Sequence, residues 1–374
     1  MRFLAAERAC LDRHLPGLDA RLAATALAVL EAPGSPGPAM FRDAAGPGLL
    51  VPAEHGGAGV DPVSAARIQR AVGARSPSLA VATTMHHFST ASLVELAHAT
   101  GAWELPEAIA RRGWLMSSAF AEGRSGQHIL APTMRARRVS GGVRVSGRKK
   151  PCSLTWSMDV LSASVAVDDD AGGPARSAVI LVPADAAGID RRRFWASWVL
   201  AGAESDEVIL DDVFVPDELV YAPTAEAAAD PVQGRGFLWF ELLVTATYLG
   251  VSSGLVERVL EAGRGDAVER SRLGGELESA MAAVESVAAA IPTASDEHVP
   301  DLLARALHVR YAAEDAVARV SWAAAGLLGG MAFVESSDTA YLLAAGRALA
   351  FHPPSRRSVS TALDDHLRGE ALAL

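Results

Sequence analysis

The sequence predicts an α+β protein with three successive regions, the first helical, the second rich in β-strand and the third helical again. Apolar residues recur at helical spacing before about residue 113 and after about residue 236. Between them, short runs of alternating and β-branched residues are separated by glycine-containing turns. A chain of 374 residues is long enough for two or three domains. We therefore expect domains at residues 1–115, 116–222 and 223–374.

The first region shows helical periodicity that is interrupted by turn-forming residues. A series of leucines from Leu4 to Leu22 lies at helix-compatible intervals, and residues 63–72 and 91–100 repeat the pattern. Two segments break it, the proline-rich stretch at 33–38 and the glycine-rich stretch PAEHGGAG at 52–59. We expect several helices joined by short loops.

The middle region reads as a mostly antiparallel β-domain. The segment RARRVSGGVRVSG places Gly141 and Gly142 between two alternating runs, which is typical of a hairpin. Residues 160–167, 177–182 and 208–215 are further β-rich runs. We expect these strands to form an antiparallel, barrel-like sheet.

The last region is predicted to be a four-helix bundle, with helices over residues 237–261, 275–290, 301–328 and 337–350. Two uncharged apolar runs, 242–256 and 320–334, are each 15 residues long. Roughly 20 residues are needed to span a bilayer. We therefore interpret both runs as buried helices and expect no membrane partner.

Composition excludes several classes of protein. Half of the residues are apolar, so the chain can bury enough surface to fold. The net charge of −10 argues against a nucleic-acid partner. Cys10 and Cys152 are too few and too far apart for a disulfide framework, and His86–His87 lack a third ligand, so no metal site is predicted. An N-terminus rich in charge is unlike a secretory signal, which makes the cytoplasm the expected location.

Six segments, in the correct order, resemble motifs of the acyl-CoA dehydrogenase superfamily of flavoproteins, including its flavin monooxygenase branch. Each motif is weak alone, but together they span roughly residues 45 to 350. The segments are LLVPAEHGGAGVDPVSAARI (Leu49–Ile68), SSAFAEGRSGQHIL (Ser117–Leu130), VRVSGRKKPCSLTWSMDVLSASV (Val143–Val165), ESDEVILDDVFVPDELV (Glu204–Val220), ERSRLGG (Glu269–Gly275) and LLGGMAFVESS (Leu327–Ser337). The resemblance implies this family's fold.

The resemblance also implies a flavin, FAD, held between the β-domain and the C-terminal bundle. It places Phe120, Ala121 and Gly126 along the flavin ring and ribityl chain, and Ser153 at the family's ring-contacting hydroxyl. Arg270 matches an arginine that meets the pyrophosphate across a subunit interface, where a planar guanidinium suits phosphate oxygens. The protein is therefore expected to be a homodimer or homotetramer.

The family's catalytic base is where the sequence departs from the pattern. Phe351–His352 stand where the family has Tyr-Glu, and the alternative base position falls near Thr247–Tyr248. Glu241 lies two turns earlier on that helix. His352 is thus the one titratable residue at a family base position, and a neutral imidazole can accept a proton near pH 7. A purely structural histidine before Pro353 is an equal alternative.

Three functions follow from the resemblance. The first is an acyl-CoA or acyl-carrier-protein thioester dehydrogenase in which His352 replaces the glutamate, with a place in secondary metabolism. The second is a flavin-dependent monooxygenase of the same fold, which would need an electron-transfer partner or flavin reductase. The third is a non-catalytic, flavin-poor subunit, because Ala121 and Pro151 replace the family's hydroxyl and tryptophan in the flavin site.

Overall fold

The fold follows the predicted order of helices, strands and helices, which confirms the expected fold class. A computed structural model describes residues 1–123, 132–168, 175–223 and 230–373. The helices share one large hydrophobic core, and the sheet encloses a second core of its own. A smaller apolar cluster that includes Ile109, Met116 and Val160 joins the first helical region to the sheet.

The first region contains seven α-helices, of which the two longest begin with side-chain N-caps. Asp61 accepts hydrogen bonds from the backbone N–H groups of Val63 and Ser64, and Ser76 accepts one from Leu79. A proline follows each of these caps, at a position where no helical N–H is needed. The helices are α1 (Ala5–His14), α2 (Leu18–Ala23), α3 (Leu27–Leu30), α4 (Gly37–Asp43), α5 (Pro62–Arg75), α6 (Pro77–Thr100) and α7 (Glu104–Arg112).

The middle region forms one eight-stranded sheet. Its strands are β1 (Met116–Ala119), β2 (Arg135–Val139), β3 (Gly142–Cys152), β4 (Val160–Val167), β5 (Arg176–Pro183), β6 (Ile189–Arg192), β7 (Asp206–Pro216) and β8 (Val220–Tyr221). The order across the sheet is β6-β7-β3-β2-β4-β5-β8, with β1 beside β4. The predicted hairpin is β2–β3, in which Val139 pairs with Gly142 and Gly141 takes the positive φ that the turn requires. Two pairings, β1–β4 and β2–β4, are parallel, and the other described pairings are antiparallel.

The last region contains five α-helices in the described residues, one more than the sequence predicts. They are α8 (Pro231–Glu261), α9 (Ala267–Ala288), α10 (Val299–Glu335), α11 (Ser337–Gly346) and α12 (Arg356–Leu367). The additional helix, α12, is short and mostly exposed, with Val359 and Leu363 as its buried residues. Its sequence, RRSVSTALDDHL, is mostly polar, so few apolar residues mark it as part of a helical bundle.

The two apolar runs identified in the sequence have opposite environments. Both α8 and α10 are long and apolar enough to cross a membrane, judged by length and composition alone. The apolar part of α8 is entirely buried inside the protein, as predicted. The prediction that residues 320–334 are buried is wrong, because Trp322 is 74% exposed and Val334 is 79% exposed. The helix changes direction at Gly329, whose φ is +82°, close to this exposed apolar end.

Candidate active site

A cavity of about 820 Å³ lies between the sheet, α6, α8 and the turn that follows α11. Its lining is mainly apolar and includes a chain of phenylalanine rings from different regions. Phe88 on α6 lies 5.8 Å from Phe120 after β1 and 5.6 Å from Phe240 on α8, measured between ring centroids. Phe237 stacks on Phe240 with an interplanar angle of 5°. The helical and β regions therefore meet in one aromatic-walled space.

Four of the six predicted site residues line this cavity. Phe120, Ala121 and Ser153 belong to its β-domain wall, and His352 belongs to its helical wall. Gly126 lies outside the described residues. Arg270 does not line the cavity of its own chain; it is half-buried in the first turn of α9 and donates to the backbone carbonyl of Arg264. The roles assigned to these six residues remain predictions.

Hydroxyl groups line the β-domain wall around Ser153. The Ser153 hydroxyl lies 2.9 Å from the Ser205 hydroxyl, and Ser117 donates to the Ser153 carbonyl over 2.6 Å. Across the cavity, the Ser89 hydroxyl on α6 is buried and has no hydrogen-bond partner among the described residues. A buried hydroxyl without a partner is unfavourable, so this side of the cavity suits a polar ligand atom. Sequence reasoning missed Ser89 and Ser205, since isolated serines carry no pattern.

A buried ion pair backs the β-domain wall. Lys149 donates to Glu122 over 2.9 Å and to the Ser164 hydroxyl over 3.1 Å. Burial by itself would raise the pKa of Glu122, but the hydrogen bonds from Lys149, Thr133 and Met134 outweigh it and lower that pKa to about 2. Glu122 is therefore ionised, and its oxygens already accept hydrogen bonds from these donors. It is a poor proton acceptor.

The helical wall presents His352. Its Nε2 atom lies 2.8 Å from the hydroxyl of Tyr248 on α8, one of the two alternative positions considered for the base. Burial, with a smaller effect from the nearby Arg310 charge, lowers the pKa of His352 to about 3. The imidazole is therefore neutral at pH 7, but it is a much weaker base than an ordinary histidine.

A second buried ion pair holds the turn that carries His352. Arg310 on α10 donates to both carboxylate oxygens of Glu241, over 2.8 and 3.0 Å, and both side chains are almost completely buried. The same guanidinium donates to the carbonyls of Leu349, His352 and Pro353. Burial raises the pKa of Glu241 to about 7, against the attraction of Arg310. Glu241 does not line the cavity, so it supports the site from behind instead of supplying a base.

The His86–His87 pair lies in the core of the first region and outside the cavity lining. The Met116 N–H donates to His86 Nδ1 over 3.0 Å, and His86 Nε2 lies 3.0 Å from the Pro47 carbonyl. Burial lowers the pKa of His86 to about 4, so the ring is neutral and links α6 to the start of β1. Both ring nitrogens of His87 are buried without a partner among the described residues.

Comparison with known proteins identifies clear relatives. No family model matches the chain. The chain is 43% identical to isobutylamine N-hydroxylase from Streptomyces viridifaciens over 381 aligned positions that cover all of both chains. It is 31% identical to dibenzothiophene monooxygenase from Rhodococcus erythropolis over 57% of this chain and 52% of that one. Among solved structures, FMN-bound TdsC from Paenibacillus sp. A11-2 has a TM-score of 0.82 at 18% identity, over 99% of this chain and 98% of that one.

These similarities favour the second of the three sequence-based functions. The two relatives are named as enzymes that add oxygen, and neither is named as a thioester dehydrogenase. The cavity agrees with this, because Glu122 is its one carboxylate among the described lining residues and is held by Lys149. The predicted flavoprotein character is confirmed at the level of a flavin. Neither the identity of the flavin nor that of the substrate follows from the similarities alone.

Proposed function

Because the chain belongs to the acyl-CoA dehydrogenase-like flavoproteins, a family that includes flavin monooxygenases, we propose that it is a flavin-dependent N-hydroxylase of small primary alkyl amines. The observation that carries this proposal is the 43% identity, over all of both chains, to a protein named isobutylamine N-hydroxylase. The chain is thus an enzyme and a flavin-dependent oxidoreductase. The thioester dehydrogenase that we first expected is set aside in favour of the monooxygenase.

The described residues fit a flavin. A cavity of about 820 Å³ lies within the usual range for cofactor sites. Phe120 and Ala121 offer an apolar slot for a planar ring, and the Ser153 hydroxyl offers a hydrogen bond at its edge. When bound, reduced flavin activates O₂ and supplies two electrons, so that one oxygen atom enters the new N–O bond and the other leaves as water. This chain's residues hold the two reactants and exclude bulk water.

FAD remains our proposal for the flavin, on the strength of Arg270. It is half-buried near the start of α9 and lies outside the cavity of its own chain, so we propose that it meets the flavin of a neighbouring subunit, as the family resemblance implies. Heat release of the cofactor followed by chromatography tests this, and FMN as the sole flavin would overturn it. Arg270→Ala should weaken FAD binding, whereas Arg272→Ala, two residues further along α9 and exposed, should not.

The lining favours an amine in its uncharged form. An ammonium ion would find no free carboxylate among the described lining residues, and the lining already contains the cationic Lys150. An uncharged amine also has the lone pair that must attack oxygen. Alkyl amines have pKa values near that of lysine, roughly 10.4. We therefore expect kcat/KM to rise with pH across the neutral range.

Two partners complete the proposal. The exposed apolar face at the end of α10, which includes Trp322, Met331 and Phe333, is suited to contact with a second copy of the chain. The sequence has no Gly-x-Gly-x-x-Gly fingerprint for a nicotinamide cofactor. Reducing equivalents would then come from a flavin reductase or another electron-transfer partner. Light scattering that finds only a 38.9 kDa species at micromolar concentration would contradict the oligomer.

The decisive experiment supplies FAD, NADH, a flavin reductase, O₂ and isobutylamine to the purified protein. We expect mass spectrometry to detect the N-hydroxylamine, which contains one added oxygen atom, only when all components are present. Isobutanol, which has the same carbon skeleton but no amine, is the matched negative control. Anaerobic bleaching of the flavin by an acyl-CoA, with no oxygenated amine formed, would instead support the thioester dehydrogenase.

A further inference from the structure

We infer that Tyr248 fixes His352 in the tautomer that carries its proton on Nδ1, so that the cavity receives a hydrogen-bond donor. Tyr248 is a positioning residue in this view. Its hydroxyl determines which ring nitrogen of His352 is free to bind a ligand, and it does so from outside the cavity lining. The tautomer follows from contacts within the chain, whereas its use in the reaction rests on the proposed N-hydroxylation.

The first step of the argument concerns the Tyr248 hydroxyl. The side chain is fully buried, and His352 Nε2, at 2.8 Å, is its only hydrogen-bond partner among the described residues. Burial raises the pKa of the Tyr248 phenol, so the hydroxyl keeps its proton. A buried hydroxyl that cannot donate its proton destabilises the fold. The Tyr248 proton therefore needs an acceptor, and Nε2 is the acceptor that is present.

The second step is the direction of this hydrogen bond. If Nε2 carried the proton, the imidazole would donate to the phenol oxygen and the phenol proton would be left without an acceptor. If Nδ1 carries the proton, Tyr248 donates to Nε2 and every buried proton of the pair is satisfied. Because His352 is neutral, one nitrogen donates and the other accepts. The second arrangement is the favourable one.

The third step is that the Nδ1 edge is open to a ligand. His352 lines the cavity, and its Nδ1 atom has no partner among the described residues and is not sealed within the protein. His87 differs, because both of its ring nitrogens are sealed. His86 shows the opposite tautomer, since the Met116 N–H donates to its Nδ1 and leaves Nε2 to donate to Pro47. Of these three rings, only His352 lines the cavity and has a ring nitrogen that is neither paired among the described residues nor sealed.

The fourth step is that the ring is held in place. Arg310 donates to the carbonyls of Leu349, His352 and Pro353, which fixes the backbone of the turn. Phe240 borders the imidazole, with ring centroids 6.3 Å apart. A fixed donor in a site with little water stabilises an oxygen atom on which negative charge develops. We therefore replace the expected role of His352 as a proton acceptor with that of a neutral donor.

Nitrogen NMR of the flavin-loaded, ¹⁵N-histidine-labelled protein tests the tautomer directly. Signals of His352 are assigned by their loss in His352→Asn. In the wild type we expect an Nδ1 shift typical of a protonated nitrogen and an Nε2 shift typical of an unprotonated one. In Tyr248→Phe we expect this preference to be lost. A wild-type spectrum in which Nε2 carries the proton would overturn the inference without any need for a variant.

Tyr311→Phe is the matched control, because that hydroxyl donates to the Pro354 carbonyl in the same turn and does not touch His352. Tyr248→Phe should lower the yield of hydroxylated amine per O₂ consumed by roughly tenfold, with flavin affinity unchanged, and Tyr311→Phe should lower it much less. In a His352→Asn background, whose amide places an N–H near the Nδ1 position, Tyr248→Phe should cause no further loss. Equal losses in Tyr248→Phe and Tyr311→Phe would indicate only a structural role. The predicted tautomer in a protein that hydroxylates no amine would uphold the inference and reject the proposed function.

Discussion

The two walls of the cavity are each supported by a buried ion pair, but the pairs are built differently. On the β-domain side, Glu122 binds Lys149 and also accepts hydrogen bonds from Thr133 and the backbone N–H of Met134. On the helical side, Glu241 has Arg310 as its hydrogen-bond partner among the described side chains. The first carboxylate is held by several donors and the second by one. The pKa of Glu122 is lowered to about 2 and that of Glu241 is raised to about 7.

This difference separates the two tasks of the site. The β-domain wall carries the predicted flavin contacts directly after the ends of β1 and β3, strands that are already joined to the sheet by ladder hydrogen bonds, and its ion pair adds to an existing framework. The helical wall carries His352 on a turn with little regular structure, and Arg310 supplies much of its order. A wall that depends on one cation should be more sensitive to substitution than a wall that is held by many bonds.

The largest effect is expected for Arg310→Met, which leaves Glu241 buried without a partner and releases three carbonyls of the turn. Breaking a buried pair in this way lowers the free energy of unfolding by about 3–5 kcal/mol. Urea denaturation measures the loss. As a control, Arg310→Met combined with Glu241→Leu should recover part of it, because no buried charge remains. A loss below about 1 kcal/mol for the single variant would contradict this account of the helical wall.

A smaller effect is expected for Lys149→Met on the opposite wall. Glu122 would keep its hydrogen bonds from Thr133 and Met134, so the free energy of unfolding should fall by about 1–3 kcal/mol. The same denaturation experiment checks it. Lys150→Met is the matched control, since that neighbouring side chain is partly exposed and pairs instead with Glu207. A loss as large as that of Arg310→Met would remove the contrast between the walls.

The two carboxylates should give opposite pH dependences of stability. The pKa of Glu122 is lowered on folding, so its contribution is present above about pH 4.5 and is lost as the pH falls towards 2. The pKa of Glu241 is raised, so its contribution is present below about pH 4.5 and is lost as the pH rises through 7. Each gives a slope of at most about 1.4 kcal/mol per pH unit.

Denaturation of the glutamine variants at several pH values separates these two contributions. Glu122→Gln should flatten the acidic side of the stability profile only. Glu241→Gln should flatten the decline between about pH 4.5 and 7 only. The same change in both variants would mean that the two pairs respond to pH alike.

The smallest effect is expected for Ser153→Ala on the β-domain wall. Loss of one neutral hydrogen bond to the flavin, worth about 1 kcal/mol, should raise the flavin dissociation constant roughly fivefold. Flavin fluorescence titration measures this. Ser205→Ala removes the same contact between the two hydroxyls but leaves Ser153 in place, so it should change the constant less. If Ser205→Ala raised the dissociation constant more than Ser153→Ala, Ser205 and not Ser153 would be the residue that contacts the flavin.

Local patterns in the sequence predicted the order of the elements and many of their bounds. The strand at residues 160–167 and the turn at Gly141 follow from side-chain alternation and from the backbone conformation that glycine permits. The family resemblance indicated four residues that the structure brings into one cavity. These results depend on neighbours in sequence or on motifs, so they do not require a knowledge of long-range contacts.

Only the tertiary structure decided which apolar helix is buried and what state each titratable group adopts. Residues 242–256 and 320–334 have similar composition, yet the first lies in the core and the second is largely exposed. Glu241 meets Arg310 across 69 positions, and Tyr248 meets His352 across 104. Desolvation, pairing and tautomer depend on such contacts, because the energy of a buried charge or proton is determined by the groups around it in space. The sequence identified His352 as a candidate, and the fold made it a weak base beside a tyrosine hydroxyl.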